Sequence, residues 1–419
     1  MTPNNGCVID GIPNEWETKR LHQVAEIRSG VAKNSNIEVS DPILVHYLRV
    51  ANVQDGYLDL SEMSKIEISR SNLTRFAVLP GDVLMNEGGD LDQLGRGALW
   101  QGQYSPCVHQ NHVFVVRCGR SVTAEFLSHW TGSETAKSYF LVGGKQTTNL
   151  ASINKTALGL LPVAVPPPDE QRAIAGALSD VDALLGVLDR MLTKKRDLKQ
   201  AAMQQLLTGQ TRLPGFKAEW EEKTLGEMGD FKNGINKSKE DFGFGHPFAN
   251  LMDVFGIAKV SDTTNFGLVN SNSSDRDQYD LLEGDVLFVR SSVKPSGVGL
   301  TTLIESDLPN TVFSGFLLRY RESTIATAYK EHCFFEDGFR KRLIASSTVS
   351  ANTNINQEAL KSLALRFPPT RDEQTAIAEV LSDMDAEIAA LEQRREKTRA
   401  LKVGMMQVLL TGKVRLIGK

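Results

Sequence analysis

Residues 169–213 read DEQRAIAGALSDVDALLGVLDRMLTKKRDLKQAAMQQLLTGQTRL, and residues 372–416 read DEQTAIAEVLSDMDAEIAALEQRREKTRALKVGMMQVLLTGKVRL. The two align without a gap at an offset of 203 (372 − 169), and 24 of their 45 positions are identical. Agreement at that level over a fixed period makes the chain a duplicated unit. Each copy opens after prolines with Asp-Glu-Gln, and acidic residues there suit a helix N-terminus. Apolar residues then recur in alternating steps of four and three. They are Ile174, Leu178, Val181, Leu185, Leu188 and Leu192 in the first copy, and Ile377, Leu381, Met384, Ile388 and Leu391 in the second. That spacing is the a/d seam of a coiled coil. The apolar pattern predicts a slip at Lys195 and Thr398 and a resumption at Leu198 and Leu401. Lysine and arginine crowd the later half of each copy, where they complement the negative helix C-terminus. Thr-Gly closes each copy as a C-cap, at Gly209 and Gly412. About 40 helical residues span ~60 Å.

A lone helix of this length leaves its apolar stripe in water. The continuous seam and the matched lengths favour pairing of the two copies as an antiparallel coiled coil with a variable domain at each end. Docking of each helix on its own domain is the alternative. Met203, Leu206, Met405, Met406 and Leu409 lie off the seam and suit either a partner helix or ordinary core.

Outside the helices the repeat is fainter. Glu15-Trp16 and Glu219-Trp220 each lead to a leucine (Leu21, Leu225) and then a glycine (Gly30, Gly234). Gly81-Asp82-Val83-Leu84 matches Gly284-Asp285-Val286-Leu287, and Ile153-Asn154 matches Ile355-Asn356. Proline and glycine clusters at 166–168, 208–216 and 368–369 punctuate the chain. The expected order is a variable domain (1–165), a helix (166–212), a second variable domain (213–367) and a second helix (368–419). The variable domains read as mixed α/β, which makes the whole chain α+β with a pseudo-two-fold internal repeat. Strands are expected at 113–116 and 316–318, turn-then-strand at 81–85 and 284–289, and helices at 124–130 and 326–335. Polar, glycine-rich loops at 88–97, 142–149, 232–241 and 290–297 set Arg or Lys beside Gln, Asn, Ser, Thr and Gly. That chemistry reads base edges and phosphates, although any one such loop taken alone is better read as a solvated turn.

Composition narrows the classes. A chain of 419 residues predicts two or three domains, and a hydrophobic fraction of 41% excludes a disordered one. Four scattered cysteines without a CxxC suggest a reducing compartment, the cytoplasm. The first residues lack a charged and then apolar leader, and no run is long enough for a membrane span, so no membrane role is expected. A formal net charge of −4 does not mark a nucleic-acid binder, so any DNA role rests on local patches or on a partner's charge. There is no GxxxxGK[ST], GxGxxG, HExxH or GxSxG, and no (D/N)PP(Y/F) as expected of an amino-methyltransferase. No catalytic residue is therefore assigned. Cys107, His109, His112 and Cys118 supply zinc-type donors, which would suit a metal-dependent hydrolase. Their spacing matches no standard zinc pattern, and strand alternation sends some to opposite faces, so no metal is expected.

The duplicated PPPDEQRAIAGALSDVDALL and PPTRDEQTAIAEVLSDMDAEI, the helix ends MQQLLTGQTRLPGF and MMQVLLTGKVRL, and the loop NEGGDLDQLGRGALW carry a resemblance. The chain resembles the specificity subunit of type I restriction-modification enzymes over its whole length, most weakly in the variable domains. RSSVKPSGVG stands in the second domain where the first has NEGGDLDQLGRG, so the sequence alone maps no contact between them. The resemblance implies two target recognition domains, each reading one half of an asymmetric, split site on double-stranded DNA. The helices would form the coiled coil that sets the spacer. Two DNA adenine methyltransferase subunits would dock on the helices and carry S-adenosylmethionine. Restriction subunits that translocate DNA would join with ATP and Mg. This subunit would hold no cofactor and no active site. Two domains reading one face of a duplex favour centres ~10 bp, or ~34–36 Å, apart. Loop position and donor chemistry then select Arg96, Lys145, Gln146 and Thr147 in the first domain, and Lys237, Arg290, Ser291 and Lys294 in the second, as DNA contacts. A duplicated coiled-coil adaptor for protein or glycan partners is the competing reading. A methyltransferase–nuclease fusion system without a separate translocase is a nearer variant.

Overall fold

The computed structural model describes residues 9, 11–32, 40–89, 94–143, 145–146, 151–349 and 352–416. The chain divides into two compact units, 1–189 with 394–419, and 190–393. In the first, a four-stranded antiparallel sheet runs in the order Ala25–Ser29, Val113–Cys118, Asp82–Asn86, Gly97–Leu99. A second sheet joins Ser64–Ser69, Pro42–Leu48 and Cys107–His109. In the second unit the central sheet runs Gly229–Asn233, Leu317–Glu322, Val286–Val289, Thr301–Ile304, Lys259–Val260. Its companion joins Gly267–Val269, Phe242–Ala249 and Val312–Phe313. The duplication therefore extends through both variable domains, far beyond the helices that announce it. The expected helices lie at Ala124–Thr131 and Thr327–Cys333.

Each faint sequence echo has a physical cause. Gly81 and Gly284 sit at φ +92° and +83°, the left-handed region glycine tolerates, and turn the chain into a central strand. The next residue, Asp82 or Asp285, is buried and takes the guanidinium of Arg117 or Arg321 at 2.7 and 2.6 Å. Asn154 and Asn356 cap short helices through their side chains, on Ala157 and Ala359 N–H. Gly30 and Gly234 pass so close to a neighbouring carbonyl that a Cβ would stand 2.1 Å from His109 O or Ser314 O.

The Asp-Glu-Gln motif does more than suit the helix dipole. Glu170 is buried and accepts Trp16 Nε1–H (3.0 Å) and two bonds from Arg415. Glu373 repeats this with Trp220 (3.3 Å) and Arg212 (2.5 and 2.7 Å). Gln171 accepts Thr123 N–H and donates to Pro166 O; Gln374 accepts Ala326 N–H and donates to Pro368 O. A buried carboxylate with an arginine and an indole donor thus locks each helix start to its unit.

The long helices span Pro168–Leu206 and Arg371–Leu409, 39 residues each. In the first unit, Ile174, Ala175 and Leu178 from the first helix, Leu409 from the second and Leu410 just beyond it enter one core with Phe126 and Trp130. In the second, Leu206 and Leu207 join Ile377, Ala378 and Leu381. Docking on a domain and meeting the other helix occur together. Within the first unit Asp182 pairs with Lys402 (2.6 Å) and Asp189 with Arg395 (3.4 Å). Within the second, Lys195 pairs with Glu387, Lys199 with Asp385 and Arg196 with Glu392. In the first unit partner numbers fall as helix numbers rise, so the segments run antiparallel. In the second unit the partner likewise falls, from Glu392 at Arg196 to Asp385 at Lys199.

Of the seam residues, Ile174, Leu178, Leu188, Leu192, Ile377 and Leu381 are buried, and Val181, Leu185, Met384, Ile388 and Leu391 half-buried. The seam does not slip where the apolar pattern breaks. Leu198 and Leu401 are 47% and 58% exposed, whereas Thr398 is buried. The inward face continues in steps of three and four through Lys195, Lys199 and Ala202 to Leu206, and through Arg395, Thr398, Lys402 and Met405 to Leu409. Hydropathy hides this, because four of those positions are cations whose carboxylate partners sit on the other copy. Met203, Met405 and Met406 pack on the two cores, with Leu206 and Leu409 inside them, so these residues are ordinary core.

His129 Nε2 shares a 3.2 Å hydrogen bond with Ser179 Oγ, and His332 Nε2 with Ser382 Oγ, the same contact one repeat later. Burial, aided by the ammoniums of Lys402 and Lys199, pushes both imidazoles down to about 4. The unfolded chain takes up these protons near pH ~6.5 and the folded chain only near ~4. Their contribution is therefore complete above the unfolded value and is lost as pH falls through that window. The melting temperature should drop steeply between pH 6.5 and 4, and H129N/H332N should flatten that slope. An equally steep slope in the double variant would contradict this assignment.

Candidate nucleic-acid interface

Both central strands end in the same backbone frame. Beyond Asp82–Asn86, Glu87 N–H donates to His112 O (2.9 Å) and Glu87 O accepts Ile153 N–H (2.8 Å). Beyond Val286–Val289, Arg290 N–H donates to Phe316 O (2.9 Å) and Arg290 O accepts Ile355 N–H (3.0 Å). Asn111 N–H reaches Val31 O, and Gly315 N–H reaches Ile235 O, both at 3.0 Å. Each frame opens into a small three-stranded sheet. In the first unit Gly88–Gly89 pairs with Ala151–Ser152, which pairs with Lys145–Gln146. In the second Ser291–Ser292 pairs with Thr353–Asn354, which pairs with Thr348–Val349. Loops that read as separate solvated turns are thus tied together in pairs, because two-residue strands satisfy backbone groups that water would otherwise hold.

The side chains on this common frame differ. His112 Nδ1 and Glu87 Oε2 share a 2.6 Å bond, with His112 56% and Glu87 28% exposed. At the matching place in the second unit, Arg290 Nη1 donates to Gly315 O (3.3 Å) and the Phe316 ring is 57% exposed. Exposed Asn236 lies against Gly315, where its Oδ1 occupies the space of a Cβ. None of Glu87, His112, Phe316 and Asn236 is selected as a DNA contact from the sequence, where cations in loops decide the choice. The local signals were small residues beside them: Gly88-Gly89 after Glu87, and Ser314-Gly315 before Phe316.

The structure treats the sequence-selected contacts unequally. Arg290 and Ser291 share one corner, and exposed Lys294 begins the turn Pro295–Gly297 just beyond it. Lys145 and Gln146 form the outer strand of the first small sheet. Thr147 lies outside the described residues. Arg96 lines a cavity of about 300 Å³ with Gln54, Asp55, Tyr57 and Lys137, and donates to Gln54 Oε1 (3.3 Å). Lys237 is half-buried and bonded to Asp275 at 2.8 Å, so reaching DNA requires opening that pair.

The zinc-type donors do not converge. His109 is buried and its Nδ1 bonds Val113 O at 2.6 Å, while His112 turns to Glu87. Burial pushes the Cys107 and Cys118 thiols up to about 12 and His109 down to about 4, so the thiols resist the ionisation a zinc ligand needs. Among the described residues no three His, Cys, Asp or Glu side chains gather as a metal set. No helix among them is long and apolar enough to cross a membrane.

Partly exposed donors and acceptors at the same corner of two similar sheets mark a protein of two like modules with unlike surfaces. Residues 13–190 and 217–399 match the family model of the type I restriction modification DNA specificity domain. The chain belongs to that family of DNA-recognition subunits, which are not themselves enzymes. It is 24% identical to the putative type I restriction enzyme MjaX specificity subunit of Methanocaldococcus jannaschii, covering 97% of this chain and 96% of that one. It is 21% identical to the type I restriction enzyme EcoKI specificity subunit of Escherichia coli K12, over 88% and 82% of the two chains. A solved chain from work on assembly and conformational transition of the type I R-M system aligns with a TM-score of 0.59 at 18% identity, covering 96% and 99%. The type I S subunit from M. genitalium aligns at 0.54 with 12% identity, covering 96% and 97%. Those two likenesses concern the fold.

Proposed function

We propose that residues 1–165 and 213–367 are target recognition domains, each reading one half of an asymmetric split DNA site. The regions 166–212 and 368–419 serve as an antiparallel coiled-coil spacer. Two DNA adenine methyltransferase subunits dock on the helices and bring S-adenosylmethionine. Restriction subunits bring ATP and Mg, and the complex works in the cytoplasm. The observation that carries this reading is one backbone frame, built twice, that presents different groups in each copy. A duplicated reader of two unlike half-sites needs that combination. Leu184 and Val187 on the first helix and Leu401 and Val403 on the second stay 38–58% exposed within the first unit, which supports docking of partner helices there. The negative net charge is compatible with DNA binding if the methyltransferases share the phosphate contacts. Mapping methylated adenines by long-read sequencing in cells with and without this chain tests the proposal. One split, asymmetric motif should vanish with the chain. An unchanged map, with the partner methyltransferase present, would favour the adaptor reading.

A further inference from the structure

We infer that Glu87–His112 and Arg290–Phe316 are one reading corner carrying two chemistries: Glu87 accepts from the exocyclic amino group of a cytosine in the first half-site, and Arg290 donates to a guanine in the second. This deepens the proposal that each unit reads one half-site.

The backbone argument comes first. Each residue holds the same hydrogen bonds on both sides, within ~0.2 Å. Each is the single residue between a central sheet strand and a two-residue strand of the small sheet. A rigid frame that differs only in what it presents is where two modules of common origin diverge in specificity. The partners set the roles. His112 bonds Glu87 Oε2, which leaves Oε1 as an acceptor with no partner among the described residues. A carboxylate facing DNA is repelled by phosphates, so its useful partner is a base-edge amino group; in the major groove cytosine N4 supplies one. In the second unit Gly315 O takes one Nη1 proton, and the other guanidinium donors have no partner among the described residues. That fork fits guanine O6 and N7. The exposed Phe316 ring beside it gives an apolar surface for a neighbouring thymine methyl. His112 acts here as a positioning residue for Glu87.

The test uses the full chain assembled with its methyltransferase on a library with every position of the site randomised. Arg290→Ala should relax one base pair of the second half-site, discrimination for guanine falling about tenfold to a hundredfold. Arg290→Lys should retain part of it. Glu87→Gln should relax one base pair of the first half-site only, and His112→Asn should weaken the same position less. The exchange E87R/H112F should move that position toward guanine. A melting temperature near that of the parent chain shows that each variant is folded. A uniform loss of methylation on all sequences, relaxation in the wrong half-site, or an unchanged motif in folded variants would overturn the assignment. If the unaltered chain yields no split motif, the underlying proposal fails first.

Discussion

Removing residues 394–419 is expected to unfold the first unit, at the other end of the sequence, and to leave the second unit folded. The segment belongs to the first unit by contact. Leu409 and Leu410 are 3% and 1% exposed in its core, beside Ile174 and Leu178. Truncating one such leucine costs about 2–5 kcal/mol, against a total stability of about 5–15 kcal/mol for a domain. The deletion also strips Arg415 from Glu170 and Lys402 from Asp182, leaving a buried carboxylate without its cation. Hydrogen exchange read by mass spectrometry distinguishes the outcomes. Protection should collapse in Val113–Cys118 and Ala124–Thr131 and persist in Leu317–Glu322 and Asp337–Ala345. Collapse confined to Arg371–Gln393, with the first unit intact, would show that the chain end is dispensable. Arg415→Ala is the milder form, expected to lower the melting temperature of the first unit because Glu170 stays buried without its cation.

The second large effect concerns site spacing. Seven residues inserted after Thr193, matched by seven after Gln393, add one heptad to each helix and preserve the inward face. Insertion in one helix alone would misalign Lys195 with Glu387 and Asp189 with Arg395. If the helices set the spacer, the matched insertion adds ~10 Å, or about three base pairs. Both half-sites should stay the same while the methylated motif gains spacer length. The added base pairs also turn one half-site about the duplex axis, so methylation of the new site should be slower. A motif whose half-sites change while the spacer holds would refute the ruler.

Much of this fold is legible in the sequence, for a physical reason. The helices bury a regular stripe, and both copies must satisfy the same partners, so Asp-Glu-Gln and the heptads repeat almost unchanged. Gly30 and Gly234 survive because no side chain fits against the carbonyl they pass. The continuation of the seam through Lys195, Lys199, Arg395 and Lys402 was not legible. Burial there depends on ion pairs between residues about 200 apart, which local hydropathy cannot register. The reading corner was hidden for the opposite reason. Glu87 and Arg290 share only backbone hydrogen bonds, and backbone bonds leave no trace in side-chain identity. A search for cations in loops therefore found Arg290 but passed over Glu87, and it chose Lys237, whose charge serves Asp275. Aligned sequence stops at RSSVKPSGVG against NEGGDLDQLGRG, whereas the paired strands set Gly88-Gly89 against Ser291-Ser292.

The central claim is that each unit reads one half-site independently of the other. Its most direct test is a methylated-adenine map for two chains that differ only in residues 1–165, each expressed with the same methyltransferase. The account predicts two split motifs that share one half-site and the spacer and differ in the other half-site. Motifs that change in both halves, or do not change, would contradict it.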